Sequence, residues 1–134
     1  MAVQHEIKSQ LAKLLATEDL IVEHKQVQTD CFNVHTRVLT LPMWEKASNT
    51  VYDLLVGHEV GHALFTPDEN WLEKVAIPPQ FVNVVEDARI EKLIKRKYLG
   101  LAKTFFKGYQ ELNDEDFFAI HAVSYTHLTL PTKA

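Results

Sequence analysis

Apolar side chains recur with helical spacing in four stretches of the chain. The stretches cover residues 3–17, 50–65, 80–98 and 102–112. In each stretch the apolar residues follow one another at intervals of three and four, so that one face of a helix can be buried. Ser48 or Asn49 is placed to cap the second helix, and Gly100 is placed to end the third. The pattern therefore predicts a mainly helical protein.

The stretch between the first two helices has a different pattern. From Cys31 to Leu41, β-branched residues dominate, and Pro42 closes the run. Such a composition is typical of an extended strand, and a proline at its end favours an edge position because proline cannot donate to a neighbouring strand. We therefore predict an α+β fold with a small sheet, in which residues 31–41 form an edge strand.

The bulk composition narrows the class of protein. A chain of 134 residues, of which 46% are apolar, is sufficient for one compact domain. The formal net charge of −4 disfavours nucleic-acid binding, which depends on clustered Lys and Arg. The single cysteine excludes an intrachain disulfide, and no apolar run approaches the ~20 residues that span a bilayer. Without a signal-peptide pattern at the N-terminus, we expect a cytoplasmic protein with no membrane or nucleic-acid partner.

The second predicted helix carries an H-E-x-x-H motif, His58-Glu59-Val60-Gly61-His62. Residues four apart lie on one face of a helix, so both imidazoles can bind one metal ion, for which zinc is the expected species. Glu59 is rotated by ~100° from His58, so it suits proton transfer from a metal-bound water better than metal binding. The motif predicts a zinc-dependent metallopeptidase with Glu59 as its catalytic residue. The alternatives are a solvated helix face and a structural metal site.

A third protein ligand is expected in the third helix, where several acids follow one another. Glu86 shares a face with apolar residues and lies far enough after His62 for the chain to return, so we predict it as the third ligand. Asp87 is the alternative ligand, or it accepts a hydrogen bond from the second ring nitrogen of a ligand histidine. Arg89 is predicted to hold a carboxylate in place or to contact substrate. Taken alone, the same residues also fit a charged helix with internal ion pairs.

The expected substrate is a protein or peptide, and the predicted edge strand offers a place for it. An extended peptide can add to such a strand through backbone hydrogen bonds, so Thr36, Val38 and Thr40 are the predicted substrate-strand positions. A residue that stabilises the oxyanion is also expected. Three tyrosines are available for that role, and the sequence does not choose among them: Tyr52, Tyr98 and Tyr109.

Two segments of the chain together resemble a known family: His58-Glu-Val-Gly-His-Ala-Leu-Phe-Thr-Pro67, followed by Val85-Glu-Asp-Ala-Arg-Ile-Glu91. They are similar to the zincin-like metallopeptidase region upstream of von Willebrand A domains in cobaltochelatase-subunit-like proteins, and most of all to peptidase-like proteins of tailed phages. The resemblance covers roughly residues 32–120. It implies a zincin-like fold, one zinc ion held by His58, His62 and Glu86, and acid–base catalysis by Glu59.

The family resemblance and a separate feature of the C-terminus predict how the chain is divided and where the protein is located. Residues 1–122 are expected to form the metallopeptidase domain, whereas residues 123–134 resemble a translated sequencing-library adapter and are expected to be a non-native tail. The family implies a von Willebrand A domain downstream and, for a phage protein, the host cytoplasm or the virion. Two other functions remain open: a non-catalytic, metal-stabilised module of a virion or chelatase-like complex, and a regulatory protein that acts on one dedicated partner.

Overall fold

The computed structural model describes residues 5–44, 47–68 and 76–114, which form four helices and one small sheet. The helices are α1 (His5–Ala16), α2 (Asn49–Phe65), α3 (Pro79–Lys97) and α4 (Leu101–Asp114). The strands are β1 (Ile21–Lys25), β2 (Cys31–Asn33) and β3 (Val38–Pro42). The predicted α+β class and its four helices are therefore confirmed. The predicted boundary at residue 122 and the tail beyond it lie outside the described residues.

The sheet differs from the single strand that was predicted, because residues 31–41 form a hairpin. β2 runs antiparallel to β3, and β1 lies parallel to β3 on its other side, which gives the order β1-β3-β2. In the turn, the side-chain oxygen of Asn33 accepts from the backbone N–H groups of His35 and Thr36, at 2.9 and 3.0 Å. Arg37 completes the turn with a φ of 61°. The turn contains neither glycine nor proline, and the turn residue Asn33 stands inside the β-branched run, so the pattern of the run predicts one strand.

The prediction that Thr36, Val38 and Thr40 offer a free edge to a peptide is also wrong. Thr36 lies in the hairpin turn, outside any strand. Val38 and Thr40 belong to β3, and each is paired with a residue of β1 and a residue of β2. Since both sides of β3 are used within the sheet, β3 has no edge for a further strand. Among the described residues, the outer strands of the sheet are β1 and β2.

Helix α2 lies at the centre of the protein and brings the motif into the core. Ser48 caps its first turn by accepting a hydrogen bond from the backbone N–H of Val51 at 3.2 Å. Helices α1, α3 and α4 pack against α2, as do β2 and β3, and every residue from Leu54 to Ala63 is buried. A helix segment that is buried on all sides must carry apolar residues on nearly all of its faces. Apart from the two histidines and the glutamate of the motif, residues 54–63 of α2 fit this rule. No helix in the described part of the chain is long and apolar enough to cross a lipid bilayer.

Two close contacts set the distance of the neighbouring helices from α2. A Cβ atom on Gly61 of α2 would lie 2.8 Å from Cδ1 of Ile90 in α3. A Cβ atom on Gly108 of α4 would lie 2.6 Å from Cδ1 and 2.9 Å from Cβ of Leu54 in α2. Side chains do not pack at such distances, so glycine at both positions lets α3 and α4 approach the motif closely.

Candidate metal centre

The three motif residues of α2 lie together in the interior. His58, Glu59 and His62 are 6%, 0% and 2% exposed. The two imidazole rings lie one helical turn apart, with their centroids 5.0 Å from each other. One potential ligand atom from each of the three side chains lies within 4.8 Å of the others. The arrangement of the two rings on one face, as expected from their spacing, therefore permits a shared metal ion.

Asp87 of α3 lies against both imidazoles. Its Oδ1 atom is 2.9 Å from Nε2 of His62 and 3.4 Å from Nε2 of His58. The same nitrogen of each ring thus faces one carboxylate oxygen. Two imidazole nitrogens and one carboxylate oxygen placed in this way could hold a metal ion.

The other ring nitrogen of His58 is held by α3 and α4. Its Nδ1 atom lies 2.7 Å from Oε2 of Glu91, and the hydroxyl of Tyr109 donates to the same oxygen. Burial raises the pKa of Glu91, but the hydrogen bond and the charge of His58, together with the Tyr109 hydrogen bond and the charge of Lys95, lower that pKa below its usual value. Nδ1 of His58 therefore donates to Glu91, and in the neutral imidazole Nε2 presents a lone pair. This Nε2 atom is buried and has no hydrogen-bond partner among the described residues.

The ring of His62 has the same protonation pattern through different residues. Its Nδ1 atom lies 2.8 Å from Oγ1 of Thr66, and the Thr66 hydroxyl donates to Oε2 of Glu86 at 2.6 Å. Since the hydroxyl proton points to Glu86, Thr66 accepts from Nδ1–H of His62, and Nε2 again presents a lone pair. Two lone pairs and the Asp87 carboxylate oxygen therefore face one another. Only a positive charge between them, from a proton or a metal ion, makes this arrangement favourable.

Glu86, the first choice as third ligand, is held by Arg89 and by Thr66, which contacts Nδ1 of His62. The carboxylate of Glu86 accepts from Nε and Nη2 of Arg89 at 2.7 and 2.8 Å, and from Thr66. Arg89 also donates to the backbone oxygen of Phe65 at the end of α2. Glu86 is buried, as its helix face predicts, but it lies beneath the last turn of α2. Its neighbour Asp87, the predicted alternative, occupies the position beside both rings.

A second acid lies next to Glu59 and was not predicted. Asp30, immediately before β2, is 3% exposed, and its Oδ1 accepts from the hydroxyl of Thr29 at 2.9 Å. Burial raises the pKa of Glu59 well above its usual value, and the neighbouring Asp30 raises it further. Both carboxylate oxygens of Glu59 are buried and without a hydrogen-bond partner among the described residues. No sequence pattern marks Asp30, because only the packing of the sheet on α2 brings it to the motif.

The carboxyl groups around His58 make the site strongly attractive to a cation. Burial lowers the pKa of His58, yet the neighbouring carboxyl groups of Asp87, Glu91, Glu59 and Asp30 together raise it well above its usual value. A site that retains a proton so firmly has a negative potential that also favours a divalent metal ion. The imidazole and carboxylate donors and the negative potential all fit a bound metal ion.

Of the three tyrosines considered for the oxyanion, only Tyr109 is linked to the site. The hydroxyl of Tyr52 donates to the backbone oxygen of Pro42 at 2.6 Å and accepts from the Trp44 N–H at 2.7 Å. The hydroxyl of Tyr98 donates to the backbone oxygen of Leu15 at 2.6 Å. These two tyrosines therefore have structural partners, whereas Tyr109 contacts Glu91 behind His58.

No protein-family model matches the chain, and neither a curated protein nor a solved structure matches it. The assignment of the site therefore depends on its geometry and chemistry.

Proposed function

We propose that the protein is a zinc-dependent metallopeptidase with a zincin-like arrangement, in which Glu59 is the general base. The observation that supports this most strongly is the position of Asp87 Oδ1, which lies 2.9 Å from Nε2 of His62 and 3.4 Å from Nε2 of His58. His58, His62 and Asp87 would hold one zinc ion, and the substrate would be a protein or peptide. Two imidazoles and one carboxylate suit zinc better than the harder cations, which prefer oxygen ligands alone.

The chemistry follows from what each residue can do. A bound zinc ion polarises a carbonyl oxygen and lowers the pKa of a coordinated water towards ~7. Glu59, whose pKa is raised by burial and by the neighbouring Asp30, would accept a proton from the attacking water at a carboxylate oxygen and would return it to the leaving nitrogen. Asp30 supports this role by keeping the pKa of Glu59 high. Glu91 and Thr66 keep the two rings in the tautomer that leaves Nε2 free for the metal.

A peptide would bind along the outer strand β2, and not along β3, which contains two of the three predicted substrate positions. β2 begins directly after Asp30, whose carboxyl group neighbours Glu59, so a strand added there would run close to the general base. This location replaces Thr36, Val38 and Thr40, which lie in the turn and in the central strand.

The test is zinc content together with peptidase activity in a small set of variants. The wild type should hold one zinc ion per chain and hydrolyse an unfolded protein such as casein. Glu59→Gln should keep its zinc and lose hydrolysis, since it changes the base and not a ligand. Wild type that retains zinc but cleaves no member of a broad peptide library would contradict the proposal.

One observation favours a second candidate, a metal-stabilised module without catalysis. The three motif residues are almost completely buried, as expected of a structural metal site. In that case Glu59→Gln would leave every biological function intact, whereas His58→Ala and His62→Ala would unfold the protein. If the protein is a peptidase, all three variants should lose function, and Glu59→Gln should remain folded.

A further inference from the structure

We infer that Tyr109, acting through Glu91, is a positioning residue that fixes the His58 imidazole for metal binding. Because this role concerns the metal site proposed above, it requires that His58 is a ligand. Metal affinity would then depend on a tyrosine of α4 that lies outside the H-E-x-x-H motif.

The contacts form a continuous line across three helices. Oε2 of Glu91 in α3 accepts both from Nδ1 of His58 in α2, at 2.7 Å, and from the hydroxyl of Tyr109 in α4, at 2.5 Å. One oxygen thus receives two hydrogen bonds, each from a donor held on a different helix. The Glu91 side chain is only 15% exposed, so water competes weakly for it.

Glu91 needs such a second contact because its side chain is long. Three rotatable bonds separate its carboxylate from the backbone, and a carboxylate that changed rotamer would release the imidazole. The Tyr109 ring has only two rotatable bonds, and its hydroxyl therefore restricts Glu91 at a low cost in conformational entropy. A fixed Nδ1 contact keeps the ring plane and the tautomer of His58 constant, which is the role of outer contacts in metal sites.

The position of Tyr109 is itself determined by packing next to the motif. Gly108 precedes it directly and faces Leu54, which lies one helical turn before His58. The close approach at Gly108 brings α4 to the distance at which the Tyr109 hydroxyl meets Glu91. The line of contacts from Tyr109 through Glu91 to His58, called the relay below, therefore depends on the same α2–α4 contact that forms the core.

The experiment compares two substitutions that each remove one tyrosine hydroxyl. Tyr109→Phe loses the contact to Glu91, and Tyr98→Phe, the matched control, loses a hydrogen bond to Leu15 away from the site. Zinc affinity is measured by competition with a chelator, and the visible absorption of bound Co²⁺ reports the ligand geometry. Tyr109→Phe should weaken zinc binding by up to about tenfold and alter the Co²⁺ spectrum, less than the roughly 10–100-fold expected for Glu91→Gln. Tyr98→Phe should leave both unchanged.

A double-mutant cycle separates positioning from a general structural effect. In the Glu91→Gln background, Tyr109→Phe should have little further effect on zinc affinity, since the relay is already broken. Fully additive effects, or equal zinc affinity of Tyr109→Phe and wild type, would overturn the relay while leaving the zinc site intact. Failure of the wild type itself to bind zinc would overturn the relay and the proposed function together.

Discussion

The two histidines of the motif lie on the same helix but are held in different ways. Nδ1 of His62 is held by Thr66, four residues later on the same chain segment, with Glu86 and Arg89 behind it. Nδ1 of His58 is held by Glu91 of α3 and, through it, by Tyr109 of α4. The support of one ring is thus mostly local, whereas that of the other exists only when three helices have assembled. Each support can therefore be broken without the other.

Loss of the Asp87 carboxylate, which contacts both imidazole rings, should lower zinc affinity more than any other change. Asp87→Asn removes the Asp87 carboxylate, whose Oδ1 atom faces both Nε2 atoms. We expect it to weaken zinc binding by more than the roughly 100-fold that loss of an outer contact causes. Glu86→Gln, the matched change at the adjacent acid, should cost less because Glu86 acts through Thr66. Isothermal titration with zinc measures both, and a larger loss in Glu86→Gln would identify Glu86 as the ligand after all.

Loss of the local support should affect His62 next most strongly. Thr66→Val keeps the size of the side chain but removes the hydroxyl between His62 and Glu86. We expect zinc binding to weaken by about 10–100-fold. Thr66→Ser keeps the hydroxyl and serves as the control, so chelator competition should find it close to wild type. Equal zinc affinity in the valine variant would show that His62 needs no such support.

A larger residue at Gly108, where α4 contacts α2, should destabilise the packing that places Tyr109 next to Glu91. A methyl group on Gly108 would lie 2.6 Å from Leu54, so Gly108→Ala should lower the free energy of unfolding by about 1–3 kcal/mol. Gly100 has no atom within 4 Å of such a methyl group, and Gly100→Ala should be close to neutral. Urea unfolding without metal compares the two. Similar stability of both variants would mean that α4 is free to move, and that Tyr109 is not fixed by this contact.

The smallest expected effect lies at the ion pair between Arg37 of the hairpin and Glu18, which lies between α1 and β1. Arg37 donates to both carboxylate oxygens of Glu18, at 2.9 and 2.7 Å, and to the backbone oxygen of Ala63 at 2.8 Å. The hydrogen bond from Arg37 lowers the pKa of Glu18 below 4.5. A lowered carboxyl pKa stabilises the fold above the unfolded-state pKa, and this stability is lost as pH falls through the folded value.

Glu18→Gln should therefore be less stable than wild type near neutral pH, by about 0.2–1 kcal/mol for this partly exposed pair. The difference should shrink as the pH falls below 4.5 and the Glu18 carboxyl of the wild type becomes protonated. Unfolding in urea across this pH range measures it. A difference that stays constant with pH would assign the effect to packing and not to charge.

The sequence predicted the parts of the site that depend on local periodicity. The spacing of His58 and His62, the helix that carries them and the cap at Ser48 all follow from intervals of three or four residues. Which of two adjacent acids faces the rings does not, because Glu86 and Asp87 differ by ~100° around α3, and both faces of that helix can meet α2. The contact of Ile90 with Gly61 sets how α3 lies on α2, and it is a property of the folded chain.

Other parts of the site could not be predicted from local patterns at all. Asp30 reaches Glu59 only because the hairpin packs on α2, and the hairpin turn itself contains neither glycine nor proline. The contact of Glu91 with His58 and Tyr109 arises only when α2, α3 and α4 pack together, so the sequence did not show it. Long-range contacts thus determine the outer residues of the site, whereas short-range spacing determines its centre.

The central claim is that two imidazoles and one carboxylate hold a single metal ion, and zinc K-edge X-ray absorption tests it most directly. Protein purified without chelators is dialysed against zinc and then freed of excess metal. We expect one zinc ion per chain, bound by two imidazole nitrogens and by oxygen ligands at about 2.0–2.2 Å. A protein that retains no zinc, or zinc bound by fewer than two imidazoles, would contradict the account.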